Sequence, residues 1–439
     1  MRTFNGYGEL ESQRFAVNGQ NLTSWKLTFD KPGRISSKTE TLDGITSDYA
    51  YTYDSMGRLL NVTRDGTLME EYQYDSIGRR TYEMNVLKGI SGRTFSYSDE
   101  DHLITAGDMA YQYDVDGFLT TKTQGSNITR YNYSSKGELL NVNLPDGGVI
   151  EYINDPLGRR IAKKVDGVTT EKYLWQGLTK LLAMYDGTDN LKMRFDYADA
   201  RMPVAMNRSG VTYYLTYDQV GSLRVLADAL GNVVKRIDYD SFGNIINDTN
   251  PGFTIPFGFA GGLHDRDTGF VRFGFRDYDP NTGRWTAKDP ILFAGGDVDL
   301  YGYVGNNPVN RTDPSGLQPV LPAPIGPGYY GGGPGQTVGG VVGWYAGAIA
   351  GGAVGLNIGL DLGMTYGALI GLPAGPLGNF GGALVGGFAG GVIGGVVGGV
   401  GGGFLGRSIG HQFDQPCAGI LNCGEEEMLQ RQQQKAPCK

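Results

Sequence analysis

The sequence predicts a mainly all-β protein whose hairpins pair into a curved or spiral sheet, followed by a C-terminal α-helical hairpin of glycine-zipper type. Three observations carry this expectation. A Tyr-Asp unit recurs with a period near twenty residues, residues 1–250 hold no sustained helical period, and glycine occupies every fourth position over long runs beyond residue 338.

The repeat comes first along the chain. It reads "YTYDSMGRLLNVTRDG" at 51, "YQYDSIGRRTYEMN" at 72, "YQYDVDGFLTTKTQG" at 111 and "YNYSSKGELLNVNLPDGG" at 131. Drifted copies follow at 151, 214 and 237, and an earlier one surrounds Phe29. Alternating aromatic and polar residues suit a half-buried strand, and Asp-x-x-Gly supplies the turn, with glycine at positive φ and the Asp side chain capping the turn backbone. A lone hairpin cannot bury its apolar face, so consecutive units are expected to pair edge to edge into one twisting sheet. Repetition makes each Tyr-Asp pair architectural rather than catalytic.

Composition narrows the partners. A net charge of −8 gives no global basic surface, which argues against nucleic acid. The N-terminus carries no basic start followed by an apolar run, so any export is expected to use a non-Sec route. The only cysteines, Cys417, Cys423 and Cys438, lie in the tail, where incidental thiols are the first reading and pairing in an oxidising compartment the second. His102, His264 and His411 stand apart without metal or triad spacing and read as surface or turn residues. No nucleotide-binding loop is readable, and neither cofactor nor metal is expected.

From 239 to 317 the motifs "RDYDPNTGRW", "KDP", "YGYVGNNP" and "DPSGL" follow in order. With the Tyr-Asp repeats they resemble the Rhs family of YD-repeat proteins, including bacterial Rhs polymorphic toxins, Tc-toxin C subunits and teneurin YD shells. The resemblance spans about residues 1–317, as YD repeats (1–238) and an Rhs-associated core domain (239–317); composition and glycine spacing divide the remainder into a Pro/Gly-rich linker (318–338), a glycine-zipper membrane segment (339–410) and a polar tail (411–439). It implies a hollow β-shell enclosing a C-terminal effector. Fewer repeats than the family uses make this a partial shell, a remnant or a C-terminal fragment.

The resemblance also implies self-cleavage of aspartic-protease type by Asp289 of "KDP" and Asp313 of "DPSGL", cutting between Leu317 and Gln318. The chemistry is coherent: two close carboxylates do not both ionise, so one stays protonated to polarise a carbonyl while the other activates water. This would be a single-turnover activity. From the residues alone, Asp-Pro-x-Gly reads first as a tight turn.

The tail follows. Glycines at 343, 347, 351 and 355, then at 386, 390, 394 and 398, belong to two four-residue series separated by Pro373 and Pro376. Gly343, Gly347, Gly351, Gly355, Gly386, Gly390, Gly394 and Gly398 are the expected membrane-packing residues. Such helices are weak in water, each glycine costing about 1 kcal/mol against alanine, but lipid enforces the helix and small residues allow close packing. Asp361, the one charge from 318 to 406, reads as interfacial before it reads as part of a proton path.

In the family the residues after this core are a variable effector, often a toxin used in competition between bacteria. The leading expectation is a released peptide that self-associates in a target-cell membrane, with an immunity protein and a secretion-system component as further partners. Two other readings stay open: a membrane-anchored YD-repeat surface or adhesion protein with a non-toxic glycine zipper, and a delivery segment for a catalytic toxin. Residues after 410 are too few for an ordinary catalytic domain.

Overall fold

The computed structural model describes residues 1–198 and 201–321. Within them the chain forms a 24-stranded sheet and a second sheet of four strands. The large sheet is an antiparallel meander in which each strand pairs with its neighbours in sequence, from Arg2–Phe4 to Ile245–Asp248. It therefore continues past residue 238. The glycine-zipper positions lie outside the described residues; among the described residues no helix is long and apolar enough to cross a membrane.

The strands join through two kinds of turn. At one end sit the Asp-x-x-Gly turns, with Gly57 at φ 87° and Gly78 at φ 101°. In one such turn Asp54 Oδ1 accepts from the Met56 and Arg58 amides and its Oδ2 from Arg58 Nε, so a single carboxylate satisfies the whole loop. At the other end, pairs such as Asp43-Gly44, Asp65-Gly66 and Asp166-Gly167 have both residues at positive φ, the signature of type I′ hairpins whose twist matches the strands.

The same side chains bind each repeat to the next. Arg34, Arg58 and Arg79 each donate to a carbonyl of the following turn: Asp54, Asp75 and Ser98. Their guanidiniums lie 4.8–5.0 Å from the ring centres of Tyr53, Tyr74 and Tyr97. Those tyrosines donate back to the carbonyls of Ile35, Leu59 and Arg80 at 2.7 Å. The first tyrosine of the motif does different work: Tyr51, Tyr72, Tyr111 and Tyr131 are buried in the core face. Two tyrosines two residues apart thus share a face, the inner one packing and the outer one stitching.

The sheet bends back on itself. Strand Gln20–Phe29 meets strands Val211–Tyr217 and Leu223–Asp228, where Thr23 and Thr216 hydroxyls bond at 2.6 Å and Trp25 Nε1 donates to the Tyr217 carbonyl at 3.2 Å. Leu22, Leu42, Val225 and Ala227 fill this seam.

The chain beyond Asp248 folds against the Asp-x-x-Gly end. Its small sheet, Leu263–His264, Val271–Phe273, Arg276–Asp279 and Arg284–Trp285, encloses an aromatic centre of Phe273, Tyr278, Trp285 and Tyr303. From there side chains reach every second turn at this end of the large sheet. Asn310 accepts from the Ile35 amide, Asn306 donates to the Gly78 carbonyl, and Tyr301 donates to the Gly117 carbonyl. Gly117 has room for nothing larger, since a methyl there would lie 2.5 Å from the Tyr301 hydroxyl.

Candidate active site

The two aspartates singled out in the sequence come together on one arginine. Arg276 opens the strand Arg276–Asp279 and stacks on Trp285, 4.2 Å from its ring centre. Its Nη2 lies 2.8 Å from Asp289 Oδ2 and 3.4 Å from Asp313 Oδ2. All three side chains are buried. The remaining guanidinium nitrogens hold the neighbouring backbone, Nε donating to the Gly316 carbonyl at 2.5 Å and Nη1 to the Leu300 carbonyl at 3.3 Å.

The segment Asp313–Leu317 wraps its own carboxylate. Asp313 Oδ1 accepts from the Ser315 hydroxyl at 3.0 Å and the Leu317 amide at 3.1 Å. The Gly316 amide bonds the Asp313 carbonyl at 3.3 Å, so the segment is also a turn. Turn and carboxylate cluster are one structure. Two glycines let the segment lie flat against the small sheet: a methyl on Gly274 would meet the Ser315 carbonyl oxygen at 2.2 Å, and one on Gly316, at φ 69°, the Phe273 carbonyl oxygen at 2.3 Å.

Leu317 is buried, and its carbonyl faces Gly295 on the opposite wall. A methyl placed on Gly295 would lie 2.6 Å from Asp289 Oδ2 and 3.1 Å from the Leu317 carbonyl oxygen. Asp289 and that carbonyl therefore crowd the same side of one glycine. Past it the chain is caught again: the Gln318 side-chain amide donates to the Ala294 carbonyl, and Val320 exchanges two backbone bonds with Thr312 at 2.9 and 2.6 Å.

Electrostatics follow from burial. Desolvation pushes the Asp289 carboxyl up to about 6 against the pull of Arg276, with Asp313 adding to the rise. Burial raises Asp313 as well, opposed by Arg276 and by the hydrogen bonds from Ser315, Leu317 and Gln318. The same burial draws the Arg276 guanidinium below its ordinary value, opposed by the two aspartates.

Of the residues expected from the sequence, Asp289, Asp313 and Leu317 thus line one small cleft and Gln318 follows at its rim, whereas the zipper glycines lie outside the described residues. Sequence reasoning assigned no role to Arg276 or Gly295. The first stood inside "RDYDPNTGRW", where its pairing with two distant carboxylates had no local signal; the second lies in a short Gly-Gly run that reads as a loop. His102 closes the Ser98–His102 turn, in line with its reading as a surface or turn residue, and also stacks on Tyr113 at 4.6 Å between ring centres.

Comparison with known proteins bears on the repeats and on the core block as far as residue 309. The family described as Teneurin YD-shell matches residues 1–309. Teneurin-3 of Danio rerio is 28% identical over 327 residues, covering 70% of this chain and 12% of its own length. Double-stranded DNA deaminase toxin A of Burkholderia cenocepacia is 30% identical over 344 residues, covering 68% of this chain and 23% of its own. The chain therefore spans less than a quarter of the length of either relative. Among solved structures, a TcdB2-TccC3 complex is 18% identical with a TM-score of 0.32, covering 72% of this chain and 22% of that one. The Photorhabdus luminescens Tc holotoxin pore is 17% identical with a TM-score of 0.34, covering 74% of this chain and 21% of that one. A profile that takes in the repeats and most of the core block, with the ordered motifs that follow them, places this chain in the Rhs/YD-shell family.

Proposed function

We propose that this chain is a toxin carrier of Rhs type, whose YD-repeat sheet and core block hold a C-terminal effector and cut it free after Leu317. The observation that carries the reading is the shared position of Asp289, Asp313 and the Leu317–Gln318 bond around Arg276 and Gly295. The similarity to a Burkholderia toxin over 68% of this chain supports the carrier role.

In this reading Asp289, the carboxyl beside the Leu317 carbonyl oxygen, holds a proton and polarises that carbonyl. Ionised Asp313 takes a proton from water, whose oxygen bonds to the Leu317 carbonyl carbon. The Leu317–Gln318 C–N bond breaks, its electron pair and a proton pass to the Gln318 nitrogen, and a Leu317 carboxylate remains. Arg276 holds both carboxylates in place and offsets their charge. The freed effector is the glycine-zipper segment, which self-associates in a target-cell membrane after export by a non-Sec route.

Two measurements separate the halves of the proposal. Wild type should run as two fragments on a denaturing gel, whereas Asp289→Asn and Asp313→Asn should each leave a single chain of 47.3 kDa. Identical banding in all three removes self-cleavage. Residues 318–439, expressed in bacteria with and without periplasmic targeting, should depolarise the membrane as followed with a potential-sensitive dye. An unchanged potential with the segment in the membrane fraction would instead make it an anchor for a surface-displayed YD-repeat protein.

A further inference from the structure

Asp289 and Asp313 play unequal parts in the proposed cut, one carrying a proton and the other ionised, yet they share a single guanidinium. Arg276 does not set that order. Its Nη2 lies 2.8 Å from Asp289 Oδ2 and 3.4 Å from Asp313 Oδ2, so the guanidinium by itself would ionise Asp289 first. Burial acts in the same sense, since Asp313 is 1% exposed and Asp289 5%. Among the other acids lining the cleft, Asp299 is matched by Arg284 at 2.6 Å and Asp297 accepts from the Asp299 amide at 3.1 Å. Tyr303, a further titratable neighbour of Asp313, is held neutral by its burial.

The hydrogen-bond donors around the two carboxylates differ. Asp289 Oδ1 accepts from one group, the Ile291 amide at 2.9 Å. Asp313 Oδ1 accepts from two, the Leu317 amide and the Ser315 hydroxyl. The hydroxyl is the donor that Asp289 lacks, and a hydrogen bond to an ionised carboxylate is stronger than one to a neutral acid. Ser315 is also fixed in place. Its carbonyl accepts from the Phe275 amide at 2.8 Å and its hydroxyl oxygen from the Leu317 amide at 3.2 Å, which leaves the hydroxyl hydrogen directed at Asp313. Turn chemistry does not call for this side chain: Asp-Pro-x-Gly uses its Asp, its Pro and its Gly, and accepts most residues at the third position. A hydroxyl there serves the carboxylate.

We propose that Ser315 is the positioning residue that makes the two aspartates unequal: its hydroxyl reserves the ionised, proton-accepting role for Asp313 and leaves the proton to Asp289. The assignment rests on the self-cleavage reading above and deepens it. Ser315 acts through Asp313 and neither makes nor breaks a covalent bond in the reaction. Without the hydroxyl, the nearer approach of Arg276 to Asp289 is opposed by the Leu317 amide alone, and the proton shifts toward Asp313, where it blocks the activation of water.

The test is the pH profile of cleavage in the full chain, comparing wild type with Ser315→Thr, Ser315→Val and Ser315→Ala. Threonine and valine share a shape, and only threonine keeps the donor. Uncleaved chains prepared in denaturant are refolded across buffers from acid to neutral, with far-UV circular dichroism checking the fold at each pH and fragment masses checking the cut after Leu317. Cleavage needs Asp313 ionised, so its rate falls on the acid side as Asp313 takes up a proton. Loss of the hydroxyl makes that proton easier to bind, so the acid limb should move up by about one pH unit in Ser315→Val and Ser315→Ala and stay in place in Ser315→Thr. If Ser315→Val does not fold, alanine against threonine carries the same comparison. A purely structural role would lower the rate alike at every pH. Profiles lowered without a shift, or superimposable on wild type, overturn the assignment and leave self-cleavage standing; a wild type that cleaves at no pH overturns self-cleavage and this assignment with it.

Discussion

At the scale of single residues, the behaviour of Asp289 is the most exposed to experiment. Its folded-state carboxyl titrates near 6 and its ordinary value is 3.8, so folding favours the protonated form. That contribution is fully present below 3.8 and is lost as pH rises through about 6. Denaturant midpoints of the non-cleaving Asp313→Asn chain should fall over this window, and adding Asp289→Asn should flatten the slope. Because the proposed reaction needs Asp289 protonated, cleavage should slow as pH rises through the same value, read as the rate at which fragments appear during refolding. Gly295→Ala offers a sharper probe. Its methyl would meet Asp289 Oδ2 at 2.6 Å, pushing that carboxyl away from Gly295, and a displacement near 1 Å costs roughly a hundredfold in rate. Cleavage should slow on that order while far-UV circular dichroism stays that of wild type.

At the scale of the element, the Tyr-Asp hairpin is a unit whose bonds run outward as well as inward. Asp54 closes its own turn, while Arg58 reaches the next turn and Tyr74 reaches back to the Leu59 carbonyl at 2.7 Å. Tyr74→Phe keeps the ring under Arg58 and removes only that bond, so urea unfolding should show a loss of about 0.5–1.5 kcal/mol with little change in slope. The segment after the proposed cut is a second element of consequence. Val320 is bridged to Thr312 by two backbone bonds, and the Gln318 side chain holds the Ala294 carbonyl. A nick at Leu317 breaks neither. The two fragments should therefore co-elute on native size exclusion and separate only under denaturation; separation without denaturant would show that these contacts do not hold the product.

At the scale of the whole described region, one end of the sheet is built to be covered. The core block answers alternate turns at this end of the sheet, through Asn310, Asn306, Tyr301 and Arg272. It also carries Asp289 and Asp313, so the candidate site is assembled by the same packing that closes this end. The sheet's return on itself, through Trp25 and Thr216, ties strands nearly two hundred residues apart in sequence. Trp25→Phe would leave the Tyr217 carbonyl without its buried donor, and a cost of about 1–3 kcal/mol is expected in urea unfolding.

What was legible in the sequence is what depends on neighbours along the chain. The period of the Tyr-Asp unit, the need for glycine at positive φ and the capping Asp are local chemistry, and Gly57, Gly78 and Asp54 bear them out directly. The paired role of the two tyrosines and the arginine was not legible, because each acts on a strand of the adjacent hairpin. The same holds for the site. Asp289 and Asp313 were singled out from ordered motifs, but Arg276 and Gly295 gain meaning only when segments that precede and follow them fold onto the same wall. Local turn chemistry is written in i to i+4 spacing; a carboxylate pair on one guanidinium, or one carboxylate bridging Arg160 and Arg272, exists only after the core block has packed against the repeats and excluded water.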